Sequence, residues 1–160
     1  MDRTDARLLR ALVEDPRATI MALAQRLALS RNTVQARLTR LDQRGVLASF
    51  ERRINPDAIG YPLTAFITIT LTQQHLDDVA VSLSEIPEVL EVLGISGAVD
   101  MLVRVAARDA DDLYRIAGHI LAIHGVERTE TSLVMRHMLD YRITPLLNRI
   151  SQPTAGQDNP

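Results

Sequence analysis

TIMALAQRLALSRNTVQARLTRLDQRG, residues 19–45, decides how the rest of the chain reads. Leu23, Ala24 and Leu27 repeat at the spacing of one helix face, and Val34, Leu38 and Leu41 do the same further on. Thr19 and Ser30 stand where a hydroxyl can accept from the free N–H groups of a first helical turn. Gly45 follows the second helix, where a left-handed residue commonly ends one. Only Ala28 to Ser30 separate the two segments, which predicts a helix-turn-helix. The second helix has one apolar stripe. Its other side carries Arg31, Asn32, Thr33, Gln35, Ala36, Arg37, Thr39, Arg40, Gln43 and Arg44, with one acid, Asp42. Such a face suits a groove lined with phosphates and base edges. Ser30, Arg31, Asn32, Thr33, Gln35, Ala36, Arg37 and Arg40 are the candidate DNA contacts. Arg37 and Arg40 are expected on phosphates, and Asn32, Thr33 and Ala36 nearer the groove floor. The plain alternative is an amphipathic helix pair with a solvated polar face.

Charge is divided along the chain. The net charge over 160 residues is −2. Residues 1–61 hold 11 Arg against 7 acids, and residues 62–160 hold 7 Arg against 13 acids. The positive field is therefore confined to the N-terminal third, as expected when one module meets phosphate and the other does not. Aromatic residues make up 3% and there is no Trp, so stacking on single-stranded bases is not expected. No apolar run reaches the ~20 residues needed to span a bilayer, so no membrane partner is expected. Asp2, Arg3, Thr4 and Asp5 open a helix and carry no signal-peptide pattern. The absence of cysteine excludes disulfides and thiolate metal sites and fits a cytoplasmic location.

A first helix is predicted from Thr4 to Glu14, burying Ala6, Leu8, Leu9, Leu12 and Val13 and broken by Asp15-Pro16. Val46 to Ile54 reads as extended, placing Arg52 and Arg53 on a wing or hinge strand. Asn55-Pro56 starts a turn, and Asp57 to Gly60 reads as one helical turn. Then comes a strand over Leu63 to Thr72, in which Leu63, Ala65, Ile67, Ile69 and Leu71 alternate with Thr64, Phe66, Thr68, Thr70 and Thr72. A helix over His75 to Ile86 follows, with Leu76, Val79, Ala80 and Leu83 on one face. Strands are expected at Val89 to Ile95, Met101 to Ala107 and Val126 to Met138. A helix capped by Asp109 precedes the last strand, with Leu113, Ile116, Ala117, Ile120 and His124 on its buried face. The order βαββαβ is that of a ferredoxin-like unit. The fold class is therefore α+β: an N-terminal winged helix-turn-helix over 1–61 and a C-terminal ferredoxin-like domain over 62–147. A disordered tail is expected over 148–160. The sheet face without helices needs a cover, and a second copy of the same sheet is the simplest one, so a homodimer is expected.

The residues hold no enzyme chemistry. His75, His119, His124 and His137 lie outside any H-E-x-x-H spacing, and there is no P-loop, G-x-S-x-G or dinucleotide fingerprint. The cluster Asp109, Asp111 and Asp112 is explained by a helix N-terminus that favours negative charge. No metal site, cofactor or enzymatic activity is expected.

The two modules in this order resemble the Lrp/AsnC family of leucine-responsive or feast/famine regulators. The resemblance runs from about Met1 to Leu147 and is carried by MDRTDARLLRALVEDPRATI, LAQRLALSRNTVQARLTRLDQRGVL, INPDAIG, GISGAVD with MLVRV after it, and RITPLL. It implies a transcription regulator of double-stranded DNA that dimerises through its C-terminal sheets. It also implies further assembly, often to octamers, and a small effector, usually an amino acid, held between C-terminal modules. The effector loop departs from the common Gly-Asp-Tyr-Asp pattern. Gly97 and Asp100 match, Ala98 and Val99 replace the acid and the aromatic, and Met101 follows. Ser96, Gly97, Ala98, Val99 and Asp100 are the candidate effector residues. Asp100 could accept from an ammonium, and Gly97 lets backbone approach a ligand closely. The alternative is a tight turn in which Asp100 only caps the loop. Two other functions fit part of the sequence: an architectural DNA-binding protein with little effector control, and an amino-acid-sensing module without DNA binding.

Overall fold

The computed structural model describes residues 1–152. The chain divides into two compact units, Phe50–Met138 and Met1–Ser49 together with the chain from Leu139. The helical unit contains α1 (Arg3–Glu14), α2 (Ile20–Leu27) and α3 (Arg31–Gln43), rejoined by α6 (Thr144–Ser151). Thr19 and Ser30 cap α2 and α3 as expected, accepting from the N–H groups of Ala22 and Thr33. Between them Ala28 adopts a left-handed conformation, φ 54°, and its N–H closes on the carbonyls of α2. That turn aims α3 away from α2. The core of the unit is Leu8, Leu9, Ala11, Leu23, Ala24, Leu27, Val34, Leu41 and Leu147.

The α+β unit has a four-stranded antiparallel sheet in the order β2 (Val89–Gly94), β3 (Met101–Ala107), β1 (Leu63–Leu71), β4 (Val126–Leu133). Two helices, α4 (Leu76–Ser84) and α5 (Ala110–Leu121), cover one face. Ala65, Ile67, Ile69 and Leu71 of β1 pack there with Val79, Leu83, Val103, Val105, Ile116 and Ile120. The alternation of β1 thus sends its aliphatic set inward and Thr64, Phe66, Thr68 and Thr70 to the helix-free face. Gly125 ends the α5–β4 turn at φ +94°, and a Cβ there would come within 2.6 Å of the His75 Cβ, so the position admits only glycine.

Several expectations need correction. Residues 46–54 are not extended: Phe50–Arg53 form a 3₁₀ turn, with the Ile54 N–H donating to the Glu51 carbonyl. A lone extended segment needs a paired neighbour for its backbone groups, and none of the described strands lies beside it. β4 stops at Leu133, opposite Ala65 near the start of β1, with one further bond from the Val134 N–H to the Thr64 carbonyl, so the strand expected to reach Met138 is shorter. The expected tail over 148–160 begins inside α6, whose Leu147 is buried in the helical core; residues 153–160 lie outside the described residues. Residues 139–152 therefore pack with the helix-turn-helix and not, as the 62–147 boundary has it, with the sheet. Val13, Leu76 and His124, expected on buried faces, are exposed. His124 lies past the end of α5 and meets the His75 ring edge-on at 4.8 Å.

Asp5 holds α1 and α3 together. Only 1% of its side chain is exposed. Asp2 and Asp5 form a reciprocal cap, with the Asp5 N–H donating to Asp2 at 2.8 Å and the Asp2 N–H to Asp5 at 3.0 Å. From α3, Arg37 donates to Asp2 and to Asp5, each at 2.7 Å. Arg40 donates to both Asp5 oxygens at 2.9 and 3.0 Å. Burial pushes the Asp5 carboxyl up, but the Asp2 N–H and Arg37 outweigh it and leave it below its ordinary range. The Arg37 hydrogen bond, helped by the Asp5 N–H, lowers Asp2 to about 2. Two carboxyls depressed by folding add stability above the ordinary carboxylate range, and that stability is lost as pH falls through their folded values. Protection factors of the α1 amides, taken relative to the intrinsic exchange rate at each pH, are therefore expected to stay high from about pH 7 to 5 and to fall as pH drops from about 4 to 2. Protection that is unchanged down to pH 2 would contradict the assignment.

Candidate nucleic-acid interface and effector loop

The polar side of α3 is built by its N-terminal cap and its one buried stripe. Val34 and Leu41 are fully buried and Leu38 is half-buried, which leaves Arg31, Asn32, Thr33, Gln35, Ala36 and Thr39 exposed. Ser30 and Thr33 are partly committed to the cap, their hydroxyl oxygens 2.8 Å apart. Gln35 reaches Thr39 at 3.4 Å, leaving the rest of its amide in solvent. Arg31 makes no ion pair among the described residues. The first turn and a half of α3 thus presents free donors and acceptors on one surface.

Arg37 differs from the expectation of a free phosphate contact. Its guanidinium is turned to α1, is 23% exposed, and is occupied by two carboxylates. These bonds tie α3 to α1. Arg40 differs from Arg37: the side chain is 49% exposed and only Nη2 is bound to Asp5, so Nε and Nη1 remain open. The sequence reading missed the partner of both arginines. The only signal was the Asp2–Asp5 spacing at the start of a helix, which reads as a cap alone.

In the α+β unit the loop from Ile95 to Asp100 joins β2 to β3. Ser96, Gly97 and Ala98 are exposed, and Val99 and Asp100 are half-buried. Gly97 has φ +130°, which an L-residue rarely adopts. Asp100 ties the loop to the end of β1. Its Oδ2 accepts from the Leu71 N–H at 2.9 Å, its own N–H donates to the Ile69 carbonyl, and its carbonyl accepts from the Ile95 N–H. The carboxylate expected to meet an ammonium is thus half used in capping, with Oδ1 the remaining acceptor. The acidic cluster lies at the start of α5 as expected, with Asp111 and Asp112 in its first turn, and Asp112 has a further part there. Asp109 caps the helix, while Asp112 is buried and accepts from Arg108 and Arg115, chiefly the former, which hold its carboxyl far below the usual range.

Among the described residues no group of three His, Asp or Glu could hold a metal ion, and no helix is long and apolar enough to cross a membrane. Comparison with known proteins accounts for both units. The family model for the AsnC-type helix-turn-helix domain matches residues 1–42, and that for the Lrp/AsnC ligand binding domain matches residues 64–143. The chain is 43% identical over 117 residues to the HTH-type transcriptional regulator LrpA of Mycobacterium tuberculosis, covering 71% of this chain and 78% of that protein. Its fold is similar to that of AsnC from E. coli, with a TM-score of 0.81 at 25% identity, covering 91% of this chain and 99% of that one. A transcriptional regulator from Neisseria meningitidis solved in complex with L-Met is also similar, with a TM-score of 0.77 at 27% identity over 88% of this chain and 93% of that one. With a helix-turn-helix at one end and a ligand binding domain after it, the chain belongs to the Lrp/AsnC family of transcriptional regulators, which are not enzymes.

Proposed function

We propose that this regulator reads a DNA sequence through the exposed face of α3 and that an uncharged amino acid, bound at the loop Ser96–Asp100, changes its assembly and through it its DNA affinity. The observation that carries the DNA reading is the unoccupied surface of Arg31, Asn32, Gln35 and Ala36 beside an Asp5-braced Arg40. Asn32 and Gln35 suit bidentate contact to adenine, and Arg31 to guanine or phosphate. Ser30 and Thr33 lie at the helix start, where N–H groups meet phosphate. Arg40 is restrained by Asp5 but keeps two donor groups, so it contacts phosphate with less lost rotamer freedom than an unbraced arginine. Arg37 acts on DNA only by fixing α3. These features favour a regulator over an amino-acid-sensing module without DNA binding. Side chains suited to base edges favour it over an architectural protein.

The effector reading rests on the family and on the loop's chemistry. The similar Neisseria regulator holds L-Met. Here Ala98 and Val99 would offer an apolar wall, and Asp100 Oδ1 an acceptor, which suits a small or aliphatic side chain; Met101, expected beside them, is buried in the sheet core. The helix-free sheet face supports a homodimer. Phe66, Thr68 and Leu102 on it are half-buried, and Arg104 has a buried Nε with no acceptor among the described residues. A second copy would supply that cover, and loops at dimer edges would carry further assembly, to an octamer by family likeness. The cell compartment that suits these partners is the cytoplasm.

Two outcomes test this. Gln35→Ala should relax sequence preference at one base pair, costing about 1–3 kcal/mol on the preferred site and little elsewhere. Arg40→Ala should weaken all duplexes and reduce the salt slope by about one. Equal losses in both variants on every sequence would remove the base-reading role. In a thermal-shift panel, Met, Leu and other uncharged amino acids should raise the melting temperature by mass action, and charged ones should not. Ala98→Glu should abolish the shift, and no shift with any amino acid would overturn the effector assignment.

A further inference from the structure

α1 carries a second basic surface, on the side turned away from the recognition helix. Arg3, Arg7 and Arg10 recur at i, i+4 and i+7, and at 100° per residue they share an arc of about 60° with Glu14. Asp5 lies on the opposite side of the same helix and faces α3. Arg3 and Arg7 are exposed and have no carboxylate within ion-pair distance among the described residues. Arg10 lies 3.8 Å from Glu14, and Arg26 of α2 also bonds Glu14. Arg7, Arg10, Glu14 and Arg26 rim an open hollow of about 190 Å³ floored by Ala11 and Leu27. Two guanidinium groups therefore share one carboxylate there, and Arg7 and Arg3 extend the positive surplus along the axis.

We propose that this stripe binds the phosphate backbone of a second DNA segment, so that one helical unit touches two duplex segments, one through α3 and one through α1. The inference rests on the reading of α3 as a DNA-binding helix. From Arg3 to Arg10 the stripe is about 10 Å long at 1.5 Å per residue. That length covers about three phosphates of one strand at 3.4 Å each. The hollow has no exposed aromatic or large aliphatic anchor, because Ala11 and Leu27 are buried. A protein interface would need such an anchor, so a polyanion backbone is the better fit. Held DNA on α3 raises the local concentration of neighbouring segments, which makes weak contacts on α1 effective.

The test titrates the full-length protein with a short duplex at several salt concentrations and follows binding stoichiometry. The wild type should show a tight phase and a weaker, more salt-sensitive phase. Arg7→Gln combined with Arg10→Gln should weaken the second phase about tenfold and lower its salt slope by about two, while the tight phase stays unchanged. Arg31→Ala combined with Gln35→Ala should do the reverse. Circular dichroism of each variant should match the parent, since all four side chains are exposed or half-exposed. A single phase in the wild type, or a second phase that ignores Arg7 and Arg10, would overturn the proposal, as would a polyglutamate peptide that competes for that phase as well as DNA does. Loss of the tight phase on changing Arg7 and Arg10 would also overturn it, by merging the two surfaces. Absence of a tight phase in the wild type, by contrast, would count against the reading of α3.

Discussion

A carboxylate that water hardly reaches must be paired, and Asp5 is paired four times over. Burying a lone charge costs several kcal/mol, whereas a buried charge with full hydrogen bonding is tolerated and fixes geometry. Asp5 takes its partners from two places: the Asp2 N–H at the start of its own helix, and Arg37 and Arg40 on α3. These contacts fix the rotation of α3 about its axis as well as its position. Rotation decides which residues the helix presents, so the exposed set Arg31, Asn32, Gln35 and Ala36 depends on a carboxylate that touches no ligand.

The two units then divide the work by charge. Arginine outnumbers acid in the helical unit, where six acids face eleven arginines over residues 1–49 and 139–152, and acid outnumbers arginine in the sheet unit. Segment α6 adds Arg142 and Arg149 of its neighbourhood to the basic side. The sheet unit holds a loop closed by its own backbone and by Asp100 at one end of β1. A ligand that prefers one assembly state over another shifts the population by its differential affinity alone. A loop already capped in the absence of ligand loses little entropy on binding, which suits a small effector.

What was legible in the sequence was what is local. Thr19, Ser30 and the three-residue turn specify the helix-turn-helix within 27 residues, and the alternation of β1 specifies its buried face without knowledge of its neighbours. Most of what the sequence left hidden involves partners distant in sequence. The carboxylates that Arg37 meets lie more than thirty positions earlier, so the sequence shows the arginine without its partners. Residues 46–54 have strand-like composition but no described strand to pair with, and Phe50–Arg53 among them close on themselves in a 3₁₀ turn. α6 is eight residues with a single fully buried side chain, Leu147, and its apolar stripe has meaning only against a core built by the first 41 residues. Asp100 was legible as a residue of consequence, and its bond to the Leu71 N–H shows one task that it performs.

The central claim, that Asp5 and the α3 arginines act as one unit to hold the recognition helix, is tested most directly by a double-mutant cycle in equilibrium unfolding. Asp5→Asn, Arg37→Gln and the double variant are compared with the parent at neutral pH. The account expects each single change to destabilise and the pair to cost less than the sum, with a coupling of about 1–3 kcal/mol. Additive effects, within about 0.5 kcal/mol, would mean that α3 is held by its apolar stripe alone.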